Sequence, residues 1–138
     1  MPDSYLAGLE VLASVGIDQD DFRNRAAEVA PEFVRLAIGF TYGEIFNRPG
    51  LDLKVRMLVA IAAGTATGTA PGQLREHVQA ALRLGWSERE IIEVMIQTAA
   101  HSGVPAALTA LTDCHDLLAV RTRDSESCYD ESSETGQA

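Results

Sequence analysis

The sequence predicts an all-α protein with a single domain of about six helices. Apolar residues recur at three- and four-residue spacing along most of the chain, and no stretch alternates apolar and polar residues for long enough to form a strand. The 138 residues are 46% hydrophobic but only 6% aromatic, which favours closely packed helices built from small side chains. A chain of this length has room for one domain with a sizeable core. We assign residues 1–120 to this domain.

Three helices are predicted in the N-terminal third. Leucines spaced three apart indicate a first helix from Ser4 to about Val15, which ends at Gly16. A second helix is expected over residues 18–29. Pro31 opens a third, which the turn "NRPG" ends. The apolar positions that mark this third helix are Phe33, Leu36, Ala37 and Phe40.

The string "LDLKVRMLVAIAAGTATG" predicts an unusually apolar helix with Asp52 at its N-cap. Its second half, residues 57–67, is apolar or small on every side, so it must be buried all round. A chain this short has few ways to cover such a surface alone. We therefore expect an obligate oligomer.

The remaining helices carry clear end signals. One begins near Pro71 and ends at Gly85, and Ser87 and Glu90 form a capping box that starts the next. A last helix is expected from about Pro105.

Charge and composition exclude several kinds of partner. Acidic residues outnumber basic ones 20 to 11, for a net charge of −9, which argues against nucleic acid and anionic membranes. Residues 121–138 have almost no apolar side chains and are predicted to be a disordered acidic tail.

Cys114 and Cys128 belong to no Cys-x-x-Cys pair or zinc cluster, so neither a disulfide framework nor a metal site is expected. No basic leader or 20-residue apolar run is present, which predicts a cytoplasmic protein.

His77 is the first candidate for chemistry. It lies in "GTAPGQLREHVQAALRLG", where Leu74, Val78 and Leu82 form one apolar helix face. The imidazole therefore points at or beside the core. Spacing alone leaves two interpretations open, a structural histidine or a working group in a pocket.

A polar stripe on the helix of residues 87–102 is the second candidate. Glu93, Gln97 and His101 are spaced four apart on an otherwise largely apolar helix. The stripe is either a solvated face or the wall of a cleft at a helix or subunit interface.

Glu44, Arg48 and Arg56 complete the candidate set. A guanidinium near apolar surroundings needs a carboxylate or an anionic ligand, and Asp52 or Glu44 could pair with either arginine.

No dinucleotide fingerprint, phosphate loop, nucleophile elbow or His-Glu-x-x-His motif occurs. We expect any chemistry to use carboxylate, imidazole and guanidinium groups without a bound cofactor.

Four strings carry a family resemblance when taken together and in order: "RPGLDLKVRML", "LREHVQAALRLG", "SEREIIEVMIQ" and "SGVPAAL". Over about residues 42–111 the chain resembles the carboxymuconolactone decarboxylase family, in its decarboxylase-like branch. The resemblance implies an all-helical, alkylhydroperoxidase D-like fold that forms homo-oligomers, commonly trimers or hexamers. The redox branch of that superfamily uses Cys-x-x-Cys-x-x-x-His, but here Ala70 and Gln73 occupy the two cysteine positions ahead of His77. Disulfide and peroxidase chemistry are therefore not expected.

The resemblance implies a cofactor-independent lyase that acts on a small carboxylated lactone or enolisable acid. It makes His77 the candidate proton donor or oxyanion partner and Glu44 an orienting or relay group, with Arg48 and Arg56 as anion anchors. Decarboxylase relatives typically have tyrosine where this chain has His101, which we also place among the catalytic candidates, with Glu93 and Gln97 as substrate-binding residues.

Two further function classes stay open, a cofactor-free isomerase or cyclase of a biosynthetic pathway and a non-catalytic helical oligomer. Whichever applies, we expect His77 to line a pocket with at least one of Glu44, Arg48, Arg56 and His101.

Overall fold

A computed structural model describes residues 3–17 and 25–119, and every regular element in these ranges is helical. The all-α prediction is confirmed. In chain order the elements are α1 (Ser4–Ser14), α2 (Pro31–Ile38), a π-helix (Gly39–Ile45), α3 (Leu53–Thr67), α4 (Pro71–Arg83), α5 (Glu88–Ser102), α6 (Val104–Asp113) and α7 (His115–Leu118). Residues 25–29 are also helical. The predicted tail and the first part of the predicted second helix lie outside the described residues.

The helix ends follow local signals in the sequence. Asp3 caps α1 by accepting a hydrogen bond from the backbone N–H of Tyr5 at 3.0 Å. The capping box that starts α5 is confirmed, since Ser87 and Glu90 each accept from the other's backbone N–H at 3.1 Å. Asp52 precedes α3 as predicted, but its side chain makes no capping bond.

The centre of the fold is α3, which packs against α4, α5 and α6. Met57 and Ile61 on α3 are fully buried together with Val78 on α4 and Met95 on α5. The expectation that α3 is buried all round does not hold within one chain, because Val59 is 56% exposed. The opposite side of α3 has no helix of the described chain to cover it.

The π-helix packs tightly along α1 because glycines stand where the two elements cross. A Cβ atom on Gly43 would lie 1.9 Å from the carbonyl oxygen of Ser4, and one on Gly8 would lie 2.6 Å from the carbonyl oxygen of Ile38. No larger residue fits at either position without moving a backbone. This close crossing fixes where the π-helix directs its side chains.

The apolar face predicted for α2 is mostly exposed in a single chain. Phe33 is 71% exposed, and Leu36 and Phe40 are exposed as well. The packed face consists of Val34 and Ile38, which are four residues apart, so α2 turns a different side toward the core than its large apolar residues indicated.

Side chains of α4 and of the turn after it bond to backbone carbonyls of other elements. Arg83 donates to the backbone carbonyl of Gly16, just after α1, and the indole N–H of Trp86 donates to the carbonyl of Lys54 at 2.7 Å. In residues 3–17 and 25–119 no helix has the length and hydrophobicity needed to cross a membrane.

Candidate active site

His77 on α4 forms a pair with Tyr42 on the π-helix. The Tyr42 hydroxyl lies 3.1 Å from Nε2 of His77, which is hydrogen-bond distance, and the contact is partly buried. The Phe46 ring lies 6.2 Å from the imidazole, centroid to centroid, in a stacked orientation. The hydrogen bond therefore joins the π-helix to α4 through two residues that are 35 positions apart in sequence.

Tyr42 and His77 both line a cavity of about 340 Å³. Most of the wall is apolar and comes from α2, while the polar groups come from the π-helix and α4. The lining residues are Ala26, Phe33, Val34, Ala37, Ile38, Thr41, Tyr42, Gln73, Glu76 and His77. This volume lies at the small end of the range for ligand sites, which suits a compact organic substrate.

His77 is therefore not sealed in the core. Its neighbours Leu74 and Val78 are 4% and 0% exposed, whereas His77 itself is half-buried and reaches the cavity. Of the two interpretations of this histidine, the geometry favours the pocket residue.

Burial lowers the pKa of His77 below its ordinary value of 6.5, so the imidazole is neutral at neutral pH. A neutral imidazole carries one N–H and one acceptor nitrogen. If the proton is on Nδ1, Nε2 accepts a hydrogen bond from the Tyr42 hydroxyl; if it is on Nε2, the phenol oxygen accepts instead. In the first arrangement the phenol can pass its proton directly to the imidazole, and in the second the imidazole N–H stabilises negative charge that develops on the phenol oxygen.

Glu44 lies at a different place from the one expected. It accepts a hydrogen bond from the Ser4 hydroxyl at 2.8 Å and lines a separate cavity formed by α1, α2 and the π-helix. Glu44 and Tyr42 are two residues apart on one helical turn, so they project to nearly opposite sides. Within a single chain Glu44 does not line the cavity of His77.

Neither arginine lines the cavity of His77 in a single chain. The guanidinium of Arg56 donates to two backbone carbonyls, those of Leu51 at 3.1 Å and Arg48 at 3.0 Å. It thereby holds the turn between the π-helix and α3 instead of pairing with a carboxylate. The Arg48 side chain is exposed on that turn.

The polar stripe of α5 lines a third cavity, of about 490 Å³, between α5 and α3. Glu93, Gln97 and His101 all contribute to its wall, as expected for a cleft, and all three remain exposed in the single chain. His101 is thus not brought to His77. The expectation that His77 shares its pocket with Glu44, Arg48, Arg56 or His101 is not met within one chain, and the catalytic and binding roles of these residues stay predictions.

Tyr42, Gln73 and Glu76 are the polar groups that sequence reasoning missed. Gln73 stands four residues before His77, so its place on that helix face was available from spacing, whereas Glu76 directly precedes His77 and is not marked by such spacing. Tyr42 carried no such signal, because its contact with His77 joins two residues that are 35 positions apart in sequence. Among the described residues no three His, Cys, Asp or Glu side chains are grouped as metal ligands.

Comparison with known proteins gives a consistent result. Residues 31–112, which include both Tyr42 and His77, match the carboxymuconolactone decarboxylase family. The chain is 36% identical over 115 residues to an uncharacterized 15.0 kDa protein from an nqo9–nqo10 intergenic region of Paracoccus denitrificans, spanning 82% of this chain and 86% of that protein. It is 30% identical over 109 residues to a 4-carboxymuconolactone decarboxylase of Acinetobacter baylyi, spanning 78% of this chain and 81% of the relative.

Proposed function

Because the chain belongs to the carboxymuconolactone decarboxylase family, we propose that it is a cofactor-independent carboxy-lyase that works at the Tyr42–His77 cavity. Its substrate is a small unsaturated lactone that carries a carboxylate on the γ-carbon. The similarity to a 4-carboxymuconolactone decarboxylase supports this substrate class.

The substrate itself explains why no cofactor is needed. When the bond between the γ-carbon and the carboxylate carbon breaks, carbon dioxide leaves and the electron pair moves through the conjugated ene-lactone onto the carbonyl oxygen. The resulting dienolate then takes up one proton at carbon. The protein has two tasks, to stabilise the developing oxyanion and to deliver the proton.

The Tyr42–His77 pair suits both tasks. A hydroxyl or imidazole N–H directed into the cavity donates a hydrogen bond to the oxyanion, and removing such a donor typically costs about 3 kcal/mol of transition-state stabilisation. The phenol gives its proton to the dienolate, and His77 returns a proton from solvent to the phenolate. Low basicity of the buried imidazole favours its release of that proton.

The apolar wall contributes to the loss of carbon dioxide. Val34, Ala37 and Ile38 offer no hydrogen bond to a carboxylate placed against them. A carboxylate is poorly solvated there, whereas carbon dioxide is neutral, so the wall disfavours the charged reactant more than the product. The observation that carries the proposal is the hydrogen-bonded Tyr42–His77 pair in the wall of this largely apolar cavity.

The test is release of carbon dioxide from a γ-carboxylated unsaturated lactone, compared among the wild-type protein, Tyr42→Phe and His77→Gln. Each substitution is expected to lower turnover by about 100-fold or more, the scale for a general acid or base. The double variant should be little worse than either single variant, because groups that act as one unit are not additive.

Tyr5→Phe is the matched control. Tyr5 also lies in the N-terminal part of the fold, but its ring lies under the Arg35 guanidinium at 4.6 Å, away from the cavity of His77. It should retain wild-type turnover. Full turnover by Tyr42→Phe would refute the assigned roles, and substrate consumption without loss of carbon dioxide would indicate an isomerase or cyclase instead.

A further inference from the structure

Phe46, the residue that directly follows the π-helix, contacts both members of the Tyr42–His77 pair. The centroid of its ring lies 5.0 Å from that of Tyr42, with the two planes tilted by 39°. It lies 6.2 Å from the centroid of the His77 ring, with the planes 23° apart. Both distances fall within the range of favourable aromatic pairs. Together with the hydrogen bond between Tyr42 and His77, these contacts join three rings into a closed triangle.

The position of Phe46 is set by its backbone and by the core. Its N–H donates to the carbonyl of Thr41 at 2.9 Å, five residues earlier, which is the bond that defines a π-helix. Tyr42 belongs to the turn that this bond closes, so the bond also fixes the separation of the Tyr42 and Phe46 rings. The half-buried side chain of Phe46 packs against the buried core. The ring is therefore held from two sides.

Phe46 covers the pair on a side other than the one that faces the cavity. The residues that line the cavity include Tyr42 and His77 but not Phe46. A substrate in the cavity therefore meets the hydroxyl and the imidazole without touching the phenyl ring. Any effect of this ring on the reaction must pass through the two groups that it contacts.

The phenyl ring has two opposing effects on the protonation of His77. It excludes water, and burial is the cause that lowers the pKa of this imidazole. A protonated imidazole would also be attracted to the face of the ring, but such attraction extends only to about 6 Å, and the two rings are 6.2 Å apart. Exclusion of water therefore outweighs the attraction. The titratable groups that line the cavity with His77 are Tyr42 on the π-helix and Glu76 on α4.

We propose that Phe46 is a positioning residue of this site, which holds the Tyr42 and His77 rings in the geometry of their hydrogen bond and keeps water from the imidazole. Its influence on turnover rests on the proposed function, whereas its influence on the imidazole does not. The residue acts through the pair and makes no contact with the substrate.

The first test needs no substrate. The titration of the His77 Cε1–H signal is followed by NMR in the full chain, and the signal is assigned by its absence from His77→Gln. In Phe46→Leu the pKa of His77 should rise toward its ordinary value of 6.5, because water reaches the imidazole where the ring was. Phe46→Tyr keeps an aromatic ring and should titrate as the wild type does. Phe40→Leu makes the same change at an exposed position of the π-helix and should leave the pKa of His77 unchanged.

The second test measures release of carbon dioxide by the same variants. Phe46→Leu should lower kcat by about 10-fold to 100-fold, because a misplacement of about 1 Å can cost a factor of about 100. KM should stay near the wild-type value, since the ring does not line the cavity. In a Tyr42→Phe background the same substitution should change kcat by less than about twofold, because the hydroxyl through which Phe46 acts is already gone.

Phe46→Met, whose flexible side chain fills irregular gaps, replaces Phe46→Leu if the latter does not fold. The inference is overturned if loss of the ring leaves the pKa of His77 at its wild-type value, or if Phe46→Tyr titrates as Phe46→Leu does. An equal loss of kcat in the wild-type and Tyr42→Phe backgrounds would also overturn it. Absence of carbon dioxide release from the wild type would refute the proposed function alone, and the NMR titration would still decide the role of Phe46.

Discussion

Replacing Gly43 by alanine is the most direct test of how the site is positioned. The added Cβ would lie 1.9 Å from the carbonyl oxygen of Ser4, 2.8 Å from its carbonyl carbon and 3.2 Å from the backbone nitrogen of Gly8. All three atoms belong to the backbone, so no change of side-chain rotamer relieves the overlap. The π-helix and α1 would have to separate locally by roughly 1 Å.

Overpacking of this kind costs about 1–3 kcal/mol, and the upper part of that range applies when the opposing atoms cannot rotate away. For a chain of this size 1 kcal/mol corresponds to roughly 4 °C in melting temperature. We expect Gly43→Ala to melt roughly 10 °C below the wild type. Since Tyr42 is the preceding residue, the same shift should move its hydroxyl away from His77 and lower turnover.

Gly72→Ala is the matched control. A Cβ built there meets no atom within 4 Å apart from its chain neighbours and the backbone of its own helix, and the residue is in the first turn of α4. Alanine should stabilise this helix by about 0.5 kcal/mol and raise the melting temperature slightly. Thermal unfolding by circular dichroism, at one protein concentration because assembly affects stability, measures both variants. A Gly43→Ala protein that melts within about 2 °C of the wild type would refute the packing argument.

Two further predictions follow from buried titratable groups. Because the pKa of His77 is lowered in the folded protein, the unfolded chain takes up the proton first as the pH falls below 6.5, and the free energy of unfolding should fall in that range. The free energy of unfolding, measured with urea at about pH 7.5 and at about pH 5.5, should change less between these two pH values for His77→Gln than for the wild type. An equal change in the two proteins would contradict burial of the imidazole. Burial raises the pKa of Cys114 to about 11, so in Cys128→Ser protein this thiol should resist alkylation until the chain is unfolded. Alkylation is detected by mass spectrometry, and rapid alkylation of Cys114 in the folded protein would contradict this prediction by showing that the last helices open.

Much of the fold could be predicted because helix signals are local. Pro71 and the Ser87–Glu90 capping box each act within one helical turn, and the apolar spacing that marks a helix needs no distant partner. Predictions about which side of a helix is buried were less successful. Phe33 and Val59 are large and apolar yet exposed, because burial depends on which other element lies alongside.

The sequence by itself determined the all-α class, most helix boundaries and the choice of His77, since these depend on spacing within single helices. Only the tertiary structure decided which groups His77 meets. The crossing of α1 with the π-helix, made possible by Gly8 and Gly43, turns Tyr42 toward His77 and leaves Glu44 facing Ser4, while Arg56 is held by backbone carbonyls. No local pattern records the contacts of Tyr42 with His77 and of Glu44 with Ser4, because they join residues 35 and 40 positions apart through the packing of whole helices.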